Sequence, residues 1–317
     1  MSTLSSAQLL KDAAQLVPKL TSKLHKGQGG RVAVIGGSKD YTGAPFYSCY
    51  SAQRMGADLG HIICDPKAGS VIKGYSPDVI VHPLFDPTTS SSDWGEELDG
   101  ILDRMHALVI GPGLGRDKYM QDAARFAIAS ARKRNLHLVL DADALWLVSQ
   151  DPSVVKSYRR AVLTPNVVEF KRLCDAVGVD AKAEGEDAKQ VAGRLATALG
   201  HVTVIQKGAE DVISNGEQTT VCDEQGGLKR SGGQGDILSG TLGTFLAWGA
   251  LHAEQTQASD GELSHITLAA ALGAATVTRT ASKLVYNAMG RALQTSDCLQ
   301  RVGEAFETHF GDRAPKL

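Results

Sequence analysis

A chain of 317 residues, 43% hydrophobic and 21% charged, has the composition of a folded globular protein and the length for one large α/β domain or two small ones. Its 33 Lys+Arg against 35 Asp+Glu leave a formal net charge of −2, which provides no electrostatic basis for binding nucleic acid or an anionic membrane. No apolar run reaches the length of a membrane span. The five cysteines (Cys49, Cys64, Cys174, Cys222, Cys298) lack CxxC spacing and His-rich neighbours, so they read as reduced buried thiols and not as a disulfide frame or a zinc site.

The N-terminus, MSTLSSAQLLKDAAQLVPKL, has no apolar signal core and no arginine; residues 7–20 read as an amphipathic helix and the protein is expected in the cytoplasm. Short apolar runs then alternate with helical patterns. Strands are expected at 31–37 (RVAVIGG), 60–65, 78–83, 106–113 (HALVIGPG), 136–143 (LHLVLDAD), 161–166 (AVLTPN) and 202–208 (VTVIQKG). Helices are expected at 117–134, 167–177, 185–199 and 263–285. Strands this uniformly apolar are buried on both faces, which implies a largely parallel sheet with helices on both sides, a doubly wound α/β fold. Residues 85–97, FDPTTSSSDWGEE, read as a polar surface loop, and no helix reads as apolar all round. Nothing marks a linker or a repeat, so one domain is expected over 1–317, with residues 1–25 packed on it.

Several strands end in polar or glycine-rich clusters: GGSKDYTG, GPGLGRD, DADAL, TPNVVE and QKGAED. Ligands of open parallel sheets bind beyond the carboxyl ends of the strands, so these clusters are expected to converge on one site.

The stretch RSGGQGDILSGTLGTFLAWGAL (230–251) places glycines at the head of a helix expected to start near Gly235. Unpaired N–H groups at a helix start carry positive partial charge, and glycines let an anion approach them closely. Gly232, Gly233 and Gly235 thus form an oxyanion or phosphate cradle, while Ser239, Gly240 and Gly243 leave a thin face for close packing. Asp236 at its mouth would repel phosphate unless it serves the chemistry, as the base for a hydroxyl attacking a phosphoryl group. It reads equally as a helix cap. Asn166 and Glu169, at i and i+3, suit either a hydrated Mg²⁺ held against phosphates or a capping box. Lys207 suits a phosphate or plain solvent.

SGGQGDILSG with NVVE and KGAED resembles the ribokinase-like superfamily. Within it, VAVIGGSKDYTGAPFYSCYSAQRMGADL, VIGPGLGRD, VLDADAL and LTPNVVEFKRL are similar, in order, to the ATP-dependent (S)-NAD(P)H-hydrate dehydratase family, over roughly residues 25–300. Where bacterial members more often carry SGTGD, this chain has Ser231–Asp236 as SGGQGD, like the eukaryotic ATP-using branch. Many relatives carry a fused epimerase domain; this chain has no room for one, so the epimerase is expected to be a separate protein.

The resemblance implies ATP-driven repair of hydrated NADH or NADPH, with Asp236 as base and Gly233 and Gly235 among the transition-state donors. It assigns Gly113 and the segment Asn166, Val167, Val168, Glu169, Phe170, Lys171, Arg172 to the hydrated dinucleotide, with Tyr41 beside it. It assigns Lys207, Gly208, Ala209, Glu210 and Asp211, and Gly226, Gly227, Leu228, Lys229, Arg230, Ser231, Gly232, Gly233, Gln234 and Gly235, to ATP. Glu169 would support Mg²⁺ indirectly. Asp141 and Asp143 end a strand on the same rim, where one of them would assist a metal or a ribose, or equally cap a helix.

Two other enzyme classes compete. A kinase of the same fold, acting on a vitamin alcohol such as hydroxymethylpyrimidine or hydroxyethylthiazole, would use the same aspartate and cradle. A nicotinamide-dependent oxidoreductase would use GPGLG, but that is GxGxG and not GxGxxG, and Asp141 lies 30 residues beyond Gly111 where about 20 are expected. A catalytically dead binding module would need Asp236 or the glycines altered, and they are intact.

Overall fold

The computed structural model describes residues 2–23, 25–181 and 187–311. Its strands, in chain order, are β1 (Ser2–Thr3), β2 (Arg31–Ile35), β3 (Leu59–Cys64), β4 (Ile80–Pro83), β5 (Ala107–Ile110), β6 (His137–Leu140), β7 (Ala161–Leu163), β8 (Thr203–Gln206), β9 (Asp211–Ser214) and β10 (Gln218–Cys222). The helices are α1 (Ser6–Leu16), α2 (Gly43–Met55), α3 (Pro66–Ile72), α4 (Ser91–Leu102), α5 (Lys118–Lys133), α6 (Asp143–Gln150), α7 (Val167–Ala176), α8 (Ala188–Ala198), α9 (Gln234–Thr256), α10 (Asp260–Met289), α11 (Thr295–Gln300) and α12 (Val302–Phe310).

The strands form one sheet in the order β1-β10-β9-β8-β7-β6-β5-β2-β3-β4. From β8 to β4 every neighbouring pair is parallel; β9 runs antiparallel to both β8 and β10. Alternate strand residues face opposite layers. Val32, Val34, Val109 and Val139 pack under α9, α2 and α10, while Ala33, Ile35, Leu108 and Leu138 pack under α4 to α8. Each fully buried Leu or Ile contributes about 1.5–3 kcal/mol of transfer free energy.

All seven expected strands are present, mostly shorter than expected, and the sheet is largely parallel as expected. The helix expected at 7–20 stops at Leu16, since Pro18 follows. Of the helix expected at 185–199, residues 185 and 186 lie outside the described residues, and α8 starts after its cap Asp187. One reading needs correction. Residues 85–97 are not simply a loop: Ser90 and Asp93 form a capping box that starts α4, which buries Trp94, Leu98, Ile101 and Leu102 at helical spacing. α9 is buried on every side over much of its length, with Ser239, Thr241 and Thr244 among the buried residues from Ile237 to Gly249. Its thin face lets it approach α2: a Cβ at Gly240 would collide with the Ser48 carbonyl oxygen. All five cysteines are buried and unpaired.

Candidate active site

The carboxyl ends of the central parallel strands and the head of α9 meet on one rim. After β2 the Gly37 N–H donates to the Gly113 carbonyl at 3.0 Å, tying the first glycine turn to the GPGLG turn after β5. The Gly113 backbone lies against Tyr41 and Pro45, each 3.0 Å from where a Cβ would stand. Tyr41 itself is 56% exposed. The Asp143 carboxylate accepts from the Gly115 N–H at 3.0 Å and pairs with Arg116 at 3.3 Å, so it braces this turn.

The end of β6 carries Asp141, only 2% exposed, and the end of β8 carries Lys207. The Lys207 ammonium lies 3.1 Å from Asp141 Oδ1, and the Lys207 N–H donates to the Pro165 carbonyl at 2.9 Å, joining the ends of β6, β7 and β8. Lys207 is therefore not a plain solvated lysine. Burial acts to lower its pKa, but Asp141, Glu169 and Asp236 together raise it above the ordinary lysine value.

Past β7, Asn166 caps α7: its Oδ1 accepts from the N–H groups of Val168 and Glu169 at 3.0 Å each, and Glu169 Oε2 accepts from the Asn166 N–H at 2.8 Å. The capping box is thus formed. It occupies one oxygen of Glu169 and leaves Oε1 without a hydrogen bond among the described residues. Burial raises the Glu169 pKa; the Asn166 N–H and Lys207 oppose this. Val167 and Val168 stand out, 65% and 67% exposed. Phe170 differs from its neighbours: its side chain is buried in the core beneath α7 and is withdrawn from the rim. Lys171 pairs with Asp175.

The head of α9 starts one residue earlier than expected. Gly233 is its cap residue, in the left-handed region at φ +97°, and a Cβ there would stand 2.8 Å from Thr295 Cγ2. Around Gly232 nothing lies within 4 Å of a Cβ, so that side of the cradle is open. Asp236 sits in the first turn and is not the cap; no hydrogen bond among the described residues reaches its carboxylate. Burial and then the Asp141 carboxylate raise its pKa well above the ordinary carboxylate value, with Lys207 pulling the other way. A Cβ at Gly235 would lie 3.3 Å from Lys207 Nζ and 3.7 Å from Asp141 Oδ2, so the α9 head rests on the Lys207–Asp141 pair.

The remaining loop residues are placed by side chains with no sequence motif. Arg279 on α10 holds both oxygens of Asp211 and the carbonyls of Gly208, Ala209 and Glu224. Asp211 also accepts from the Gly208 N–H at 3.0 Å, so its carboxylate shapes the loop. Gly227 is buried against Ser282, Lys229 donates to the Leu293 carbonyl, and Ser231 meets Thr295 at 2.8 Å. Leu228 is exposed, as are Ala209, Glu210 and Arg230, and Arg172 and Gly226 are half-buried. Gln234 Nε2 donates to the Lys229 carbonyl at 3.3 Å. The one signal for Arg279 is an arginine amid the apolar helix pattern AALGAATVTRTASKLV, where burial demands partners.

No cluster of three or more His, Cys, Asp or Glu side chains among the described residues forms a metal cage. Mg²⁺ needs no such cage, because it keeps several waters and is held by one or two carboxylates plus phosphates. The spare oxygen of Glu169, beside Lys207, fits that role. Together the rim presents a carboxylate of raised basicity, a lysine and a helix head open to an anion, the parts that phosphoryl transfer to a hydroxyl requires.

A family model described as NAD(P)H-hydrate dehydratase matches residues 32–302. The ATP-dependent (S)-NAD(P)H-hydrate dehydratase of Neurospora crassa is 47% identical, over 99% of this chain and 96% of its own. A ribokinase-like superfamily protein of Enterococcus faecalis superposes with a TM-score of 0.70 at 21% identity, covering 98% of this chain and 97% of its own. The ADP/ATP-dependent NAD(P)H-hydrate dehydratase of Bacillus subtilis, co-crystallized with ATP/Mg²⁺, superposes with a TM-score of 0.66 at 20% identity, covering 94% and 97%. The fold is ribokinase-like.

Proposed function

Since the chain belongs to the NAD(P)H-hydrate dehydratase family, we propose that it restores the S form of hydrated NADH or NADPH to NAD(P)H, consuming ATP and releasing ADP and phosphate. The observation that carries this reading is 45–47% identity, over nearly the whole chain, to enzymes of that activity, on a chain whose rim holds at a helix head an aspartate of raised pKa with no hydrogen bond to its carboxylate among the described residues.

Hydroxide is a poor leaving group and phosphate a good one. Asp236 takes the proton of the ring hydroxyl, and the freed oxygen attacks the γ-phosphorus of ATP, breaking its bond to the β-phosphate oxygen. The N–H groups of Gly233 to Gly235 and the Lys207 ammonium stabilise the transferring phosphoryl charge. The ring nitrogen lone pair then expels phosphate, and loss of a proton from the neighbouring ring carbon restores the double bond. Gly113, Tyr41 and the Asn166–Arg172 segment flank the dinucleotide. Phe170 contributes from below by fixing α7. The loops 207–211 and 226–235 hold ATP, with Asp211 shaping the first of them through its bonds to Arg279 and the Gly208 N–H and not touching the nucleotide. Bound Mg²⁺, held through Glu169 and the phosphates, would neutralise phosphate charge.

One domain carries this activity, in the cytoplasm, where reduced cysteines are the norm. A separate epimerase supplies the S form. Among the described residues no helix is long and apolar enough to cross a membrane.

The test is to incubate the protein with Mg²⁺-ATP and chemically hydrated NADH and follow near-ultraviolet absorbance. The hydrate lacks the conjugated ring chromophore, so dehydration must restore it, with one phosphate released per ring. A stable phospho-ester on a vitamin alcohol, with no restored absorbance from the hydrate, would replace this reading with the kinase one.

A further inference from the structure

Arg279 lies two-thirds of the way along α10, 8% exposed. Its guanidinium spends all five N–H donors on one region. Nε and Nη2 hold the two Asp211 oxygens at 2.7 and 2.6 Å; Nη2 also donates to the Gly208 carbonyl at 2.9 Å; Nη1 donates to the carbonyls of Ala209 at 2.7 Å and Glu224 at 3.2 Å. One turn on, the Ser282 hydroxyl accepts from the Gly227 N–H at 3.3 Å and from Gln234 Nε2 at 3.5 Å, and Lys283 pairs with Glu224 at 3.0 Å. Residues 279, 282 and 283 share one face of α10. That face touches the loop after β8, the loop after β10 and the first residue of α9.

A trans peptide directs its C=O and the following N–H in opposite senses. With the carbonyls of Gly208, Ala209 and Glu224 drawn onto the guanidinium, the N–H groups of Ala209, Glu210 and Gln225 face away from it. None of these three has a partner among the described residues, and all three residues are exposed. Carbonyl oxygens facing a triphosphate would repel it; N–H groups attract it.

We propose that Arg279 is the positioning residue of the nucleotide site, which turns the carbonyls of two loops inward so that their N–H groups face the triphosphate. This rests on the reading of 207–211 and 226–235 as the ATP site. Arg279 itself touches neither substrate.

The experiment compares wild type, Arg279→Lys and Asp211→Asn. It measures KM for ATP and for hydrated NADH, kcat, the calorimetric Kd of ATP alone, and Tm. Lysine keeps the charge and can pair with Asp211, but it lacks the planar fork that holds three carbonyls as well. Arg279→Lys is expected to raise the ATP Kd and KM about tenfold or more, with hydrate KM and saturated kcat within about threefold of wild type. Asp211→Asn shifts the same parameters in the same direction by less. Unchanged ATP Kd in folded Arg279→Lys, or a loss shared equally by both substrates, overturns the proposal; so does a fallen Tm with intact ATP affinity, which marks a purely structural role. If Arg279→Lys fails to fold, Asp211→Asn decides by the same criteria. Wild type that binds no ATP overturns the nucleotide reading and this inference with it, whereas a variant-only result bears on the inference alone.

Discussion

Lys207 and Asp141, held 3.1 Å apart at the ends of β8 and β6, form the platform on which the α9 head rests, with Gly235 packed against both. Removing either partner leaves the other charged and desolvated, a loss of about 3–5 kcal/mol for a fully buried pair and less here, where Lys207 remains partly open to solvent.

Asp236→Asn tests the base. The cap of α9 is Gly233, so Asn has no capping duty to inherit. Turnover is expected to fall by a factor on the order of 1,000 or more, with ATP Kd little changed. Stability moves the other way. The folded pKa is raised above the unfolded one, so the penalty for the charge sets in as pH rises past the ordinary carboxylate value and is complete above the raised one. Above that pH the Asn variant is expected to melt on the order of 2 °C higher. Near-normal turnover in the folded variant would remove Asp236 from the mechanism.

Asp141→Asn tests the electrostatics. On the proposed mechanism activity requires ionised Asp236, so the acidic limb of kcat/KM follows its raised pKa. Removing the Asp141 charge withdraws a like-charge repulsion and leaves Lys207 acting on Asp236 alone, so the limb should move to lower pH. A limb that stays in place or moves up contradicts the coupling.

Glu169→Gln separates the observed capping of α7 from the proposed support of Mg²⁺. Glutamine still completes a capping box with Asn166, so melting is expected within about 0.5 kcal/mol of wild type. The Mg²⁺ concentration for half-maximal rate should rise about tenfold, because a neutral amide is a poorer ligand for a hard cation. An unchanged Mg²⁺ titration leaves only the cap.

Gly233→Ala and Gly232→Ala contrast strain with access. At Gly233 the positive φ and the Thr295 contact should cost about 1–3 kcal/mol and lower Tm. At Gly232 a methyl group meets nothing within 4 Å among the described residues, so Tm should hold. If phosphate approaches the backbone there, kcat/KM for ATP still falls. Full activity in Gly232→Ala would place the anion elsewhere on the helix head.

Legibility followed the range of the forces involved. The β-branched runs at 31–37 and 202–208 mark strands locally, and polar residues at strand ends mark the rim, so Asp236, Asn166, Glu169 and Lys207 stand out in the sequence. The hairpin of β9 and β10 was missed although its turn, Asn215-Gly216, is a strong local signal; Asn215 Oδ1 accepts from the N–H groups of Glu217 and Gln218. The start of α4 is masked in the sequence by its run of serines, because the Ser90–Asp93 capping box looks like loop chemistry until the two pair. Arg279 shows in the sequence only as a charge amid an apolar helix pattern; what it holds is visible only in three dimensions, since its carboxylate partner lies 68 residues away. Phe170 shows the converse: a segment matched as a block contains a side chain turned into the core.

Because every residue of α9 from Ile237 to Gly249 is buried, the aspartate at its head is carried by a rod packed on every side. On the proposed mechanism, adjustment to incoming nucleotide then falls to the exposed tips around Leu228, Arg230 and Gly232. An evolving or engineered site on this frame can exchange its walls cheaply, while the placement of that carboxylate stays built into the core.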